Sequence, residues 1–322
     1  MTTPDVRPSP GASRPEISIV VPAYNEAKVL PELLERLTRA LEGNPDYEIL
    51  VVDDGSTDGT LEFLRVAGER WPRLRYVSLS RNFGHQNALR AGMDVARGAC
   101  VISIDADLQH PPELIPELIA RWRAGVQVVL TLRSSQGVPW FKRQTATAFY
   151  QVLSWLTDRP PADGSADFRL LDRTVVDLLR GFPERSLFLR GLVPWVGFRQ
   201  ESVPYEPAAR SAGTSKYSVR RMLSLAIHGI TATSTRPLLL ASVLGVLVSL
   251  FAVLFAGYAV YMRVVRGTAI TGWASVIVFT GLLAGAQLFV TGIVGAYLGQ
   301  VLQEVQRRPP YLVKERSGEG LS

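Results

Sequence analysis

Between Ile17 and Leu132, short apolar runs alternate with longer amphipathic stretches. Ile17–Val21, Glu48–Val52, Leu74–Leu79, Cys100–Ile104 and Val126–Leu132 are short and rich in β-branched and aliphatic residues, the pattern of buried strands. Between them Val29, Leu33, Leu34, Leu37 and Leu41 recur at spacings of three and four. Leu61, Leu64 and Ala67 do the same after Thr57-Asp58-Gly59, and Ala88, Ala91, Gly92 and Val95 precede a stop at Gly98. Repeated strand–helix units predict an α/β, Rossmann-like domain with a mostly parallel sheet covered on both faces. Further on, a helix is predicted over Trp140–Leu156, broken by Pro160-Pro161 and Gly164. A short helix over Arg173–Arg180 and a last strand over Glu201–Tyr205 complete the domain.

The pattern changes after Tyr205. Val219, Met222, Leu223, Ala226, Ile227 and Ile230 form one helical stripe, with Lys216, Arg220 and Arg221 off it. That is the signature of a helix lying in a membrane interface. Pro237–Met262 carries no charge, and a second uncharged stretch runs from Gly267 to Gln303. Each exceeds the roughly 20 residues that cross a bilayer core. Gly285, Gly292, Gly295 and Gly299 recur on the second stretch. They either let helices approach closely or are neutral passengers. The predicted organisation is a disordered tail (1–15), a large domain (16–210), an amphipathic juxtamembrane segment (211–236), a two-helix transmembrane hairpin (237–303) and a basic tail (304–322).

Charge orients this arrangement. The 322 residues carry a net charge of +6, which suits an anionic partner. Arg220, Arg221 and Arg236 precede the hairpin, and Arg307, Arg308, Lys314 and Arg316 follow it; Arg263 and Arg266 lie in the connector. The positive-inside bias places the large domain and both termini in the cytoplasm. The basic residues gather beside apolar segments without a stacked aromatic–basic module, so a lipid bilayer is the expected partner and nucleic acid is not. No signal-peptide core leads the chain. The single cysteine, Cys100, reads as a small buried hydrophobe and excludes an internal disulfide.

Candidate chemistry sits where the strands end. Asp105-Ala106-Asp107-Leu108-Gln109 follows the Cys100–Ile104 run. Two carboxylates one residue apart repel, and a hard divalent ion relieves them. Mg2+ typically takes the rest of its shell from water and substrate phosphates. An exposed loop with two solvated carboxylates is the bland alternative. Pro22-Ala23-Tyr24-Asn25-Glu26 and Asp53-Asp54-Gly55-Ser56 follow two other strands, and three such clusters converging on one sheet edge weigh against it.

These motifs, with Asp167-Phe168-Arg169-Leu170-Leu171-Asp172-Arg173 and Gly213-Thr214-Ser215-Lys216-Tyr217, resemble those of the family 2 glycosyltransferases with a GT-A fold. Within that family the chain is similar to polyprenyl-phosphate glycosyltransferases of the dolichol-phosphate mannose synthase type, over about residues 16 to 305. The resemblance implies that Pro22, Tyr24 and Glu26 line a nucleotide pocket. By the same resemblance Asp53 accepts a hydrogen bond from the base, and Ala106 sits against the nucleotide. Asp105, Asp107 and Gln109 would ligate Mg2+ or Mn2+. Asp53-Asp54-Gly55-Ser56 also reads as a turn capping the next helix, with Ser56 or Asp58 as the cap.

The cationic candidates are Arg133, Arg143, Arg169, Arg210 and Lys216. Arg133, Arg143 and Arg169 are expected at the catalytic centre, and Arg210 and Lys216 with the nucleotide and lipid phosphates. Thr147 follows Arg143 where relatives often carry Ser. His110 is expected to shape its loop, and His85 to brace the loop before the third helix. The implied function is inverting transfer of one sugar from a UDP- or GDP-sugar donor to polyprenyl phosphate. A lipid monophosphate with a second pKa of about 6 is already largely anionic and needs no strong base. A homo-oligomer is an expectation from relatives. A processive polysaccharide synthase and a non-catalytic lipid-phosphate-binding scaffold are the alternatives. The first usually carries a Gln-x-x-Arg-Trp motif, which this chain lacks.

Overall fold

A computed structural model describes residues 14–44, 46–133, 165–184, 189–206, 234–265, 267 and 272–317. In chain order the elements are β1 (Ile17–Ala23), α1 (Leu30–Ala40), β2 (Tyr47–Asp53), α2 (Thr60–Ala67), β3 (Leu74–Leu79), α3 (His85–Val95) and β4 (Cys100–Ser103). A 3-10 turn at Pro112–Leu114 leads into α4 (Ile115–Arg123) and β5 (Val128–Arg133). Then come β6 (Ser165–Asp172), α5 (Arg173–Arg180), α6 (Leu189–Trp195), β7 (Gln200–Tyr205), α7 (Arg236–Val265), α8 (Trp273–Val305) and β8 (Val313–Arg316).

The strands form one eight-stranded sheet in the order β7-β5-β6-β4-β1-β2-β3-β8. β1–β2, β1–β4, β2–β3 and β5–β7 pair in parallel; β4–β6, β5–β6 and β3–β8 pair antiparallel. The sheet is therefore mixed. The antiparallel pairs come from β6 and β8, neither of which the apolar pattern assigns. Along β1, Ile17, Ile19 and Val21 face the apolar layer of α1 and α4, represented by Leu33, Leu37 and Leu118. Val20 faces the layer of α3 and α5, with Leu89, Val175 and Val176. Both faces are covered, which explains the near-continuous apolar runs.

Local chemistry fixes the boundaries. Pro31 and Pro116 stand in the first turns of α1 and α4, where a missing N–H costs nothing. Asp172 caps α5 by accepting the Thr174 N–H at 2.9 Å, so that helix starts where the sequence places it. At Gly92 a Cβ would sit 2.2 Å from Val20 Cγ1, so only glycine lets α3 lie this close to β1.

The segment read as a basic tail is corrected in part. After α8 the chain adds β8 to the sheet edge, so the globular unit comprises residues from the 16–210 stretch together with 308–317. Tyr311 Oη donates to Asp94 Oδ2 at 2.7 Å, and Arg65 holds Glu315 with two bonds of 2.9 and 2.7 Å.

α7 and α8 form a separate unit. Both are long and apolar enough to cross a membrane. Their apolar side chains are exposed rather than buried in a core. Phe279 of α8 stacks on Phe251 and Phe255 of α7, with ring centroids 5.8 and 5.4 Å apart. Among the described residues nothing lies within 4 Å of where a Cβ would stand at Gly285, Gly292, Gly295 or Gly299, so they do not serve the α7–α8 contact. The helices expected over Trp140–Leu156 and 216–230 lie outside the described residues.

Candidate active site

The chain runs from β1 through β2 to β3 in one direction across the sheet, then places β4 on the other side of β1. Ligands of open α/β sheets bind beyond the carboxyl ends of the strands at such a reversal. The three polar clusters lie there.

The loops after β1 and β2 are stitched together. Asn25 adopts a left-handed φ of 59°, and its Oδ1 accepts the Thr57 and Asp58 N–H groups at 2.8 and 3.3 Å. Its own N–H donates to Ser56 Oγ at 2.9 Å. Gly55 has φ +67°, and a Cβ there would lie 2.3 Å from the Arg81 backbone carbon. This close passage of two backbones shapes a cavity of about 400 Å3 lined by Tyr24, Asp53, Gly55, Ser78, Arg81 and Lys314, among others.

Asp53 is buried, with Oδ1 accepting the Ser56 N–H at 3.0 Å and Oδ2 the Ser78 hydroxyl at 2.7 Å. Its carboxylate thus builds the turn as well as lining the cavity. Asp58, not Ser56, receives the Thr60 N–H at the start of α2. Asp54 accepts the Phe83 and Gly84 N–H groups at 2.7 and 2.9 Å. Burial raises its pKa and these bonds counter the rise. Asp54 thereby fixes the entry to α3 and the place of His85.

His85 stands between two carboxylates. Its Nε2 is 3.2 Å from Asp167 Oδ2 and 3.4 Å from Asp105 Oδ1. Desolvation pulls the imidazole pKa down, but the bond to Asp167 and the two negative charges outweigh it, and the net shift is upward. Asp167 is the third residue of β6, whose antiparallel register sets Arg169 opposite Ser103 of β4. Asp167 also pairs with the buried Arg169 and accepts two bonds from Arg190, at 3.2 and 2.8 Å. Burial opposes ionisation of Asp167, yet His85, Arg169 and Arg190 hold it well below the usual carboxylate range.

On the other side of Asp105, His110 Nε2 lies 3.1 Å from Oδ2, and Tyr205 Oη lies 2.8 Å from His110 Nδ1. A carboxylate only accepts, so Nε2 donates to Asp105 and Nδ1 is left to the Tyr205 hydroxyl. Burial first of all pushes Tyr205 up to about 12, so the phenol keeps its proton. Burial also raises Asp105, but the His110 bond and the two imidazoles leave it net lowered.

A divalent cation fits these residues. Asp105 Oδ1 is buried and, among the described residues, accepts no hydrogen bond. Glu26 is pushed up by burial and then by the charges of Asp107 and Asp58, which marks a surplus of negative charge there. Among the described residues no three His, Cys, Asp or Glu side chains form a ready cage. A carboxylate pair completed by substrate phosphates and water needs none.

The expected residues are only partly assembled. Tyr24 and Asp53 line the cavity. Pro22 is buried within β1 and Ala106 in the core, and neither they nor Glu26 contribute to that lining. Asp107 Oδ1 accepts the Gln109 N–H at 3.1 Å. Arg133 is exposed at the end of β5, opposite Tyr205 in the register. Arg169 is only 2% exposed and bound to Asp167, so it positions Asp167 and does not reach a substrate. Arg143, Arg210, Lys216 and Thr147 lie outside the described residues. From the sequence, His85 and His110 have only loop roles, and Arg190 and Tyr205 have none; the structure sets the two histidines directly against Asp105.

Comparison with known proteins decides the family. The family model described as "Glycosyl transferase family 2" matches residues 18–179. The chain belongs to glycosyl transferase family 2. This family 2 glycosyltransferase is 43% identical over 305 residues to an uncharacterized glycosyltransferase of Bacillus subtilis, covering 94% of each chain. It is 37% identical to a prophage-derived bactoprenol glucosyl transferase of Shigella flexneri, covering 93% of this chain and 98% of that one. Among solved structures it resembles a mannosyltransferase from Pyrobaculum calidifontis, determined with GDP-Man and Mn2+. The TM-score is 0.50 at 21% identity, over 94% of this chain and 90% of that one; this likeness speaks for the fold.

Proposed function

We propose that this enzyme moves one sugar from a nucleoside-diphosphate sugar to a polyprenyl phosphate at the cytoplasmic face of a membrane, with inversion at the anomeric carbon and dependence on Mg2+ or Mn2+. One observation carries the reading. A family 2 site and two exposed apolar helices occur in one chain, and that chain is similar along 93% of its length to a bactoprenol glucosyl transferase. The basic flanks of the hairpin support the cytoplasmic orientation.

The nucleoside end of the donor would occupy the cavity at Tyr24 and Asp53. Asp105, Asp107 and Gln109 would hold the cation, which when bound neutralises charge on the donor diphosphate as it departs. The Tyr205–His110 pair holds Asp105 ionised and oriented. His85 is fixed by Asp54 through the loop backbone and by Asp167 through its ring. It supplies a proton donor beside Asp105 without adding a further negative charge. Arg133, Arg143, Arg210 and Lys216 are the proposed cations for the two phosphorylated substrates. The acceptor phosphate is anionic at neutral pH, so its oxygen attacks the anomeric carbon in line and no side chain removes a proton. The contribution of the site is positioning and charge stabilisation.

The test uses purified full-length protein in vesicles with polyprenyl phosphate and a panel of UDP- and GDP-sugars. Mass spectrometry should find a lipid-linked monosaccharide with one of the donors. A polymer would favour a processive synthase, and no transfer with any donor would favour a scaffold.

A further inference from the structure

We infer that Lys314, on the strand that follows the hairpin, is a donor-binding residue at the nucleoside end of the cavity. The inference rests on the donor reading above and adds to it a residue far removed in sequence from the family 2 match, which ends at residue 179.

The register of β8 on β3 is the first observation. Val77 pairs with Arg316 and Ser78 with Glu315, but Leu79 pairs with Val313. Lys314 is the extra residue of a β-bulge. A bulge breaks the alternation of faces and re-aims a side chain, and bulges are frequent beside active sites. The neighbours of Lys314 show the break. Val313 packs with the apolar layer of α3 and α5. Glu315 goes to the other face, where Tyr76 Oη and Arg65 bind it. In an unbulged strand, residues two apart share a face. Val313 and Glu315 do not, and Lys314 is released between them.

The second observation is where Lys314 comes to lie. It lines the cavity with Asp53, Ser78 and Tyr24, while Asp105, Asp107 and Glu26 are not part of that lining. Lys314 therefore stands with the groups expected at the nucleoside, away from the acidic pair expected at the diphosphate. Among the described residues its ammonium makes no ion pair within 4 Å; its charge is felt by Glu315, whose carboxylate is itself bonded to Arg65 and Tyr76. An ammonium with three donors and no acceptor suits a carbonyl oxygen of the base. Edge strands often carry lysine merely to discourage further pairing, but that role needs neither a bulge nor a cavity.

The experiment is a binding titration on full-length protein in detergent, using UDP, GDP and the corresponding monophosphates. Wild type, Lys314→Ala, Lys314→Arg and a surface control, Arg70→Ala, are compared. Lys314→Ala should weaken the preferred nucleotide about tenfold, by a similar factor for monophosphate and diphosphate. Lys314→Arg should restore most of the affinity, and all variants should share one unfolding midpoint. Unchanged affinity in Lys314→Ala, an equal loss in Arg70→Ala, or a loss confined to the diphosphate would overturn the assignment while leaving the donor reading intact. Wild-type protein that binds neither diphosphate would remove the donor reading itself, and this inference with it.

Discussion

His110 and Tyr205, 95 residues apart in sequence, meet at 2.8 Å between Nδ1 and Oη. Through that bond a phenol from the last parallel strand controls a histidine that in turn holds Asp105 at 3.1 Å. Replacing His110 with Phe removes both links and leaves Asp105 unrestrained on that side. Partners that orient a metal-site ligand are typically worth about 10–100-fold in activity, so kcat/KM should fall by that order. Tyr205→Phe removes one link and should cost less. Steady-state kinetics with saturating cation measure both, and wild-type kcat/KM in the pair of variants would disprove the relay.

Asp107→Ala addresses the cation directly. Transfer should fall by about a hundredfold or more, the scale of removing one preorganised electrostatic element. The protein should stay folded, because among the described residues the Asp107 carboxylate is bound only locally, by the Gln109 N–H. Excess chelator should reproduce the loss in wild type. Full turnover under either condition contradicts a cation-assisted reaction.

Gly55 should tolerate no side chain. Its left-handed φ and the 2.3 Å approach of a Cβ to the Arg81 backbone combine conformational strain with a clash against main chain. Gly55→Ala should cost about 2–4 kcal/mol and weaken nucleotide binding through the same cavity. Gly68, with φ −60° and open space within 4 Å of where a Cβ would stand, provides the contrast. Gly68→Ala should be neutral or mildly stabilising. Denaturant midpoints of the two variants separate the predictions.

Tyr311 should govern the alkaline limb of stability. Burial, then the Asp94 charge and hydrogen bond, raise its pKa far above the ordinary value. In unfolded chains the phenol ionises at about pH 10. The folded state keeps the proton longer, so this contribution is full below that pH and is lost as pH rises towards the folded value. Tyr311→Phe should flatten the decline above about pH 10 and lower stability at neutral pH by about 1 kcal/mol. Unfolding followed across that range tests the sign; an unaltered slope contradicts it.

The apolar runs made β1 to β5 readable, because strands buried on both faces must be aliphatic throughout; β7 is an edge strand in which only Val203 and Tyr205 are buried. α5 was readable to the residue, since Asp172 is a real cap. β6 was not, because Asp167 and Arg169 look like surface residues until their mutual pairing allows both to be buried. β8 was invisible for another reason: Val313-Lys314-Glu315-Arg316 has one apolar residue and is held by an edge ladder and ion pairs. The acidic pair and the strand-end location of the site followed from the motifs. The surroundings of Asp105 did not, because His85, His110 and Tyr205 converge only through the order of the strands.

β8 has a consequence for biogenesis. The ribosome must finish α7 and α8 before it can make the strand that closes the sheet edge at β3. A nascent chain released early would therefore expose an unpaired β3 edge and lack the Lys314 wall of the cavity at Asp53 and Ser78. Closure of the sheet edge thus waits on synthesis of both apolar helices, so a truncated chain cannot complete the globular unit however well its first 210 residues fold.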